Sequence, residues 1–241
     1  MIRNEIRDII LLAEDFEAEG MPAILATVIA ANGSTYRPLG SMMLGGASSD
    51  VIAGGVSGGC LEEYILRRGR ALSDRKPATL LRFVDDPRQA QGDAPILGCG
   101  GSIEVLVERF TSEHLAFLYA FAAAQESDEA SAASCVIDSS IPTSITVHRS
   151  LWTAGGRSNW KPELESLLGQ SLCSECSVQG PIGLHQRALV QYIHPVVRLL
   201  ILGAGSDARP LCTLGRSLGW NVVVVDRRAR LASRSRFPDA D

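Results

Sequence analysis

The amino-acid sequence predicts an α/β protein in two parts: a mixed α/β domain over residues 1–195 and an incomplete βαβ unit over residues 196–241. Three observations predict it. Apolar runs rich in Val and Ile, such as residues 23–30, alternate with stretches of helical spacing, such as residues 2–19. Glycine-rich turns join them, above all Gly54-Gly55-Val56-Ser57-Gly58-Gly59-Cys60. Near the end, the apolar run 196–202 feeds Gly203-Ala204-Gly205-Ser206-Asp207-Ala208, then a helical stretch, then a second apolar run closed by Asp226.

At 241 residues the chain can form one large domain or two modest ones. A composition of 46% hydrophobic and 21% charged residues is that of a globular protein. The formal charge is −4 and there is no basic block, which argues against nucleic acid as a partner. Residues 1–20 carry Ile2, Ile6, Ile9, Ala13 and Phe16 as one helical stripe among charges, unlike a signal peptide. No apolar run approaches the ~20 residues of a membrane span. The expected location is therefore the cytoplasm, with no membrane partner. In that reducing compartment the six cysteines suit reactive or ligand roles better than a disulfide framework.

Residues 2–19 read as an amphipathic helix ended by Gly20 and Pro22, and residues 23–30 as a buried strand. The loop from Asn32 to Gly40 offers the hydroxyls of Ser34 and Thr35 and the planar donor fork of Arg37, which suits phosphate or carboxylate; a solvated surface arginine is the plainer alternative. Residues 41–46 read as a strand, and a further short strand leads into the glycine passage. A helix is expected from near Gly59 to about Ser73, with Cys60 in its first turn. Free N–H groups and the positive dipole end there suit an anion and favour a thiolate. The plainer alternative makes Cys60 a small buried residue in a tight junction.

Residues 78–84 and 103–107 read as strands, and Gly98-Cys99-Gly100-Gly101 places a second cysteine among glycines just before the latter. If the two loops meet, they form a hollow lined by amides and two thiols. A helix is expected over 113–125, strands over 133–138 and 144–148 with a turn at Pro142, and a short helix over 162–168 opened by Pro162. Residues 172–184 read as irregular. Cys173-Ser174-Glu175-Cys176 has redox or zinc spacing, but no second cysteine pair follows, and His185 is the nearby candidate ligand. His114, His148 and His194 read as ordinary surface or core residues. No Ser-His-Asp order and no pair of catalytic carboxylates emerges.

Residues 188–193 read as a strand. The final segment fits the first βαβ of a Rossmann dinucleotide fold: Gly203 for the tight turn, Gly205 for close approach to pyrophosphate, and Asp226, roughly 20 residues on, for the ribose hydroxyls. Asp207 is an awkward neighbour for pyrophosphate, and Arg227 and Arg228 leave a 2′-phosphate open. One βαβ unit cannot bury both faces of its sheet. It is expected to be either truncated or completed by another copy, and a homodimer is the expectation.

Together, Gly33-Ser34-Thr35-Tyr36-Arg37-Pro38-Leu39-Gly40-Ser41-Met42, the glycine passage to Glu62, and Gly98-Cys99-Gly100-Gly101 resemble the N-terminal domain of the XdhC/CoxI family. The stretch from Gly203 to Arg228 resembles that family's C-terminal Rossmann domain. The resemblance implies a maturation chaperone without turnover of its own. It would bind molybdenum cofactor (molybdopterin or its dinucleotide form), protect the sulfurated form and help insert it into a xanthine dehydrogenase-type molybdoenzyme, with a cysteine desulfurase as sulfur donor. Cys60 and Cys99 are then the expected metal-proximal thiols. Arg37 and the Gly58 and Gly59 amides are expected on the cofactor's anionic group, Ser57 and Gly100 as further cofactor-binding residues, and Gly203, Gly205 and Asp226 on a nucleotide. Gly98 stands where many members carry a further cysteine. The alternative is an NAD(P)-dependent oxidoreductase using the C-terminal motif, for which no residues suited to hydride chemistry are found.

Overall fold

An unbroken apolar run needs a strand covered on both faces. β1 (Ala23–Asn32) is such a strand, buried through its first eight residues. The computed structural model describes residues 3–47, 51–86, 88, 93–98, 100–141, 144–153 and 161–241. In it β1 is the centre of a five-stranded antiparallel sheet. On one side lie β2 (Met42–Gly46) and then β3 (Ile52–Gly54); on the other lie β5 (Ser102–Arg109) and then β4 (Ala78–Val84).

The period of two decides what each face meets. Ile24, Ala26 and Val28 face a helix, α2 (Glu62–Gly69), through its Ile65 and Leu66. Leu25 faces the other way, onto Ile6 and Ile9 of α1 (Arg3–Ala18) and Leu118 and Phe121 of α3 (Ser112–Glu126). Ile29, on the same face as Leu25 and Thr27, packs on a second sheet, and the bulge between Val28 and Ala30 then brings Ala31 rather than Ala30 to the α2 face. That sheet has four antiparallel strands in the order β7 (Ser144–Thr153), β6 (Ser131–Ile141), β9 (Gln186–Ile193), β8 (Val178–Pro181). Its outer face is covered by α4 (Pro162–Ser174) through Leu164 and Leu168. Its inner Cys135, Ile137 and Leu189 pack on Ile29, Ala78 and Leu106 of the first sheet.

Between the two sheets lies a buried ion pair. Arg149 on β7 donates to both carboxylate oxygens of Glu108 on β5, at 2.9 Å from Nη1 and by a shorter bond from Nη2. Glu108 is 4% exposed. His114 Nε2 lies 3.3 Å from the same carboxylate, while its Nδ1 accepts the Thr111 N–H at 3.1 Å in a capping box that starts α3. Burial pushes the Glu108 carboxyl up. The Arg149 charge and the bonds from His114 and Arg149 outweigh that and hold it at about 2.

The C-terminal segment forms β10 (Arg198–Leu202), α5 (Ala208–Ser217) and β11 (Asn221–Val225), with the two strands parallel. Ala208 and Cys212 of α5 pack on Ile201 and Val222. The opposite face leaves Leu200, Leu202, Val223 and Val225 exposed. The unit is joined to the rest by side chain and backbone together: Asn4 Nδ2 donates to the last carbonyls of α5, Arg216 at 3.2 Å and Ser217 at 3.0 Å. A helix end leaves such carbonyls open, and here the first helix closes the last.

The α/β class and the C-terminal βαβ unit are those the sequence predicts. Two local readings differ. The helix expected from near Gly59 to Ser73 runs only from Glu62 to Gly69, because side chains of Ser57 and Glu62 hold residues 56–61 as a loop. Cys60 is therefore outside the helix, ahead of its first turn. Residues 172–184, expected to be irregular, contain the end of α4 and β8; β8 is a four-residue edge strand carrying Gly180 and Pro181, too short to show alternation. Among the described residues no helix is long and apolar enough to cross a membrane.

The Glu108 carboxyl is depressed from the ordinary 4.5 to about 2. Its contribution to stability is therefore complete above 4.5 and lost as pH falls toward 2. Glu108→Gln leaves Arg149 buried without its counter-ion and is expected to lower stability by about 3–5 kcal/mol at neutral pH. Urea unfolding across pH 2–7 is the measurement; a variant as stable as wild type removes the pair from the fold's essentials.

Candidate functional site

The glycine passage begins where β3 ends. Gly54 has φ +72°, and a Cβ there would collide with the Met42 carbonyl oxygen. Beyond it the chain folds round one carboxylate. Glu62, 7% exposed, accepts the N–H of Val56 at 3.2 Å, of Ser57 at 2.9 Å and of Leu61 at 3.1 Å, together with the Ser57 hydroxyl. Ser57 Oγ in turn accepts the N–H of Gly59 at 3.1 Å and of Leu61 at 3.2 Å. Burial raises the Glu62 carboxyl, but the bonds from the Ser57 side chain and backbone outweigh it, and it lies below the usual carboxylate range. Two of the residues expected to bind the cofactor, Ser57 and Gly59, thus give their amides to the loop itself. What the loop presents outward is Cys60, which is exposed with a free thiol.

Arg37 reaches the same loop from the segment between β1 and β2. Its Nη1 donates to Glu5 of α1 at 2.5 Å. Its guanidinium lies across the Gly55 backbone, where a Cβ would sit 3.3 Å from Nη2. Its Nε is buried and has no hydrogen-bond partner among the described residues. The neighbouring Tyr36, 73% exposed, lays its ring against Gly58.

A third glycine loop completes the wall. Asp85, at the end of β4, accepts the N–H of Gly98 at 2.9 Å and of Gly100 at 2.5 Å. Gly101 passes so close to the Ser34 and Asn32 carbonyls that any Cβ would collide with them. Cys99 lies outside the described residues. Its neighbours do not: Gly98 lines one cavity of about 240 Å³ with Tyr36, Arg37, Ser57, Gly58 and Cys60. The expectation that the two cysteine loops meet holds for their described residues. Among the described residues no group of three or more His, Cys, Asp or Glu comes together to hold a metal, so a metal at Cys60 would have one described thiolate and need donors of its own.

Arg37 also lines a second cavity of about 420 Å³, at the junction of α1 with the C-terminal unit, together with His194 and Trp220. The Rossmann-type turn has Gly203 at φ +115°. The Asp226 carboxylate accepts the Ala204 N–H at 2.9 Å and is clamped by Arg228 at 3.0 and 2.9 Å. The Arg228 bonds hold its carboxyl well below the usual range. The Asp207 carboxylate stands against Gly205, where a pyrophosphate would approach. The carboxylates of the turn are thus engaged with or set against the chain itself.

Sequence reasoning missed three residues here. Glu62 is visible there only as a polar residue after Cys60, Asp85 as part of a polar loop, and Glu5 as one charge of α1. The signal that could have found them is the pairing of each glycine loop with a nearby carboxylate, since clustered N–H groups need an acceptor whether or not a ligand is present.

Fold and site together define a class: an α/β protein that gathers glycine loops round an exposed thiol and carries a Rossmann-type unit at its C-terminal end. Known proteins narrow it. Residues 16–84 match the model of the XdhC and CoxI family, and residues 199–241 match that of the XdhC Rossmann domain. The chain is thus similar to the XdhC and CoxI family in its N-terminal part and to the XdhC Rossmann domain at its C-terminal end. A Bacillus subtilis (strain 168) protein described as a probable xanthine dehydrogenase subunit is 33% identical over 224 residues, which is 91% of this chain and 64% of that protein. The chain therefore spans less than two thirds of that curated relative. A crystal structure described as a xanthine dehydrogenase from Bacillus halodurans shares the fold, with a TM-score of 0.65 at 23% identity over 97% of this chain and 67% of that one.

Glu62→Ala leaves the N–H groups of Val56 and Ser57 and the Ser57 hydroxyl without their acceptor, and Leu61 N–H with Ser57 Oγ alone. It is expected to cost about 2–4 kcal/mol and to open the Cys60 loop. Denaturant unfolding and the rate of Cys60 alkylation check this; unchanged stability with unchanged alkylation removes Glu62 from the loop's architecture.

Proposed function

We propose that the chain is a non-catalytic maturation factor that binds molybdenum cofactor, shelters its sulfurated form and helps insert it into a xanthine dehydrogenase-type molybdoenzyme. The observation that carries this reading is the convergence of three glycine loops on one cavity with an exposed thiol and with Arg37, whose Nε has no partner among the described residues. The matches to the XdhC and CoxI family and to the XdhC Rossmann domain support the same reading.

The residues present suit the group. The cofactor would bring a metal bound through soft sulfur, an anionic tail and a flat pterin. Cys60 offers a soft donor. Arg37 offers the planar donor fork of its guanidinium to the anionic part. Tyr36 offers an exposed ring to a flat one. The chain's own work is to hold and to exclude water: Glu62 and Asp85 fix the loops, so the wall needs no rearrangement to receive a ligand. Cys99 belongs to this proposal as the second thiol, and Gly58 and Gly100 as further cofactor-binding residues. A cysteine desulfurase as sulfur donor, a homodimer and a cytoplasmic location complete the reading.

The NAD(P)-dependent oxidoreductase reading draws on Gly203, Gly205 and Asp226. It is disfavoured by the Asp207 carboxylate at Gly205 and by the engagement of Asp226 with Arg228 and Ala204.

The purified chain is mixed with cofactor released from a molybdoenzyme, and molybdenum and pterin fluorescence are followed through gel filtration. Both are expected to co-elute with wild type. Cys60→Ala and Arg37→Ala are each expected to weaken binding by about tenfold or more. Absence of co-elution, or binding indifferent to both substitutions, overturns the assignment.

A further inference from the structure

The Cys-x-x-Cys of the sequence lies away from the glycine loops, and the proposed function makes no use of it. Cys173 is in the last turn of α4, and Cys176 is the second residue beyond that helix. Both are exposed with free thiols. Between them Glu175 has φ 53° and ψ 31°, the only non-glycine residue with positive φ among the described residues. A left-handed residue at a helix end folds the following residue back over the last turn. Here that residue is Cys176, and it is tied at both ends of its peptide: its N–H donates to the Ser171 carbonyl at 3.3 Å, and its carbonyl accepts the Ser171 hydroxyl at 2.8 Å. Holding a side-chain-bearing residue in this conformation costs free energy, and its result is to keep two accessible thiols in a single tight turn.

Two readings compete for such a pair. A metal would need two further donors, and among the described residues no third His, Cys, Asp or Glu joins the thiols. A disulfide needs only the two sulfurs within the short reach of one turn. We propose that Cys173 and Cys176 are a reversible dithiol–disulfide site, oxidised by exchange with a small-molecule disulfide. One thiol gives up its proton and attacks a sulfur of the small disulfide. A mixed disulfide forms and one small thiolate leaves, taking up a proton. The second protein thiol, deprotonated in turn, attacks the protein sulfur of that mixed bond, closing Cys173 to Cys176 and releasing the second small thiol. The protein loses two protons and two electrons; the small disulfide gains them.

The turn is connected to the rest of the fold. Ser177, next in the chain, accepts the Tyr192 N–H at 3.3 Å. The Tyr192 ring meets His194 edge-on at 4.8 Å, and His194 lines the 420 Å³ cavity at the junction with the C-terminal unit.

The test incubates the reduced full chain with oxidised glutathione, alkylates the remaining thiols, digests without reductant and maps the peptides by mass. The expected product is a peptide carrying an internal Cys173–Cys176 bond, lighter by two hydrogens and restored by a thiol reductant, with no accumulation of mixed disulfide on either residue. Cys176→Ser is expected to trap glutathione on Cys173. Glu175→Gly, which keeps the left-handed turn without strain, is expected to close as wild type does. Alkylation of both thiols after oxidant, stable mixed disulfides on both in wild type, or a bond from either to another cysteine overturns the assignment.

Discussion

A single buried carboxylate organises the candidate site. Glu62 draws the amides of Val56, Ser57 and Leu61 inward and fixes the Ser57 hydroxyl, which in turn accepts from Gly59 and again from Leu61. Without an acceptor those donors would be buried without partners, and the loop would need water or an anion to hold its shape. The chain supplies its own. Asp85 does the same for the Gly98–Gly100 turn. The wall around Cys60 is therefore set before any ligand arrives, and a preformed wall loses less freedom when something binds.

The larger frame serves that wall. β1 can be apolar on both faces because α2 covers one and the second sheet, with α1 and α3, covers the other. The Glu108–Arg149 pair joins the two sheets in a region that hydrocarbon alone would leave without orientation. Such pairs add little net stability but penalise any packing that separates them. β3 and α2, which flank the Cys60 loop, both rest on the first sheet, so the loop is carried on two rigid elements.

How much of this is legible in the sequence follows from what each feature requires. β1, β4 and α5 show themselves because burial writes its period into neighbouring residues. The convergence of the 33–40, 54–60 and 97–101 segments is visible as glycine without being visible as contact. Glycine at 101 records a close approach, yet nothing local says that Ser34 is what approaches. Spacing misplaces the start of α2 because Leu61, Tyr64, Ile65 and Leu66 carry a helical pattern into a region that Ser57 and Glu62 hold open by side-chain bonds. Of the proposed nucleotide residues, Gly203 keeps its turn, while Arg228 and Asp207 place charge on Asp226 and beside Gly205 in ways that spacing does not register. β8 stays invisible because four residues with a glycine and a proline have no period to read.

Arg37 belongs to the linings of both the Cys60 cavity and the one beside Trp220. Its guanidinium can turn toward one only by giving up contacts on the other side, beginning with the Glu5 carboxylate. A molecule that recruits this side chain in one chamber therefore alters the wall of its neighbour. By the reciprocity of binding free energies, the neighbour's occupant exerts the same influence in return. One shared cation makes the two hollows a conversing pair.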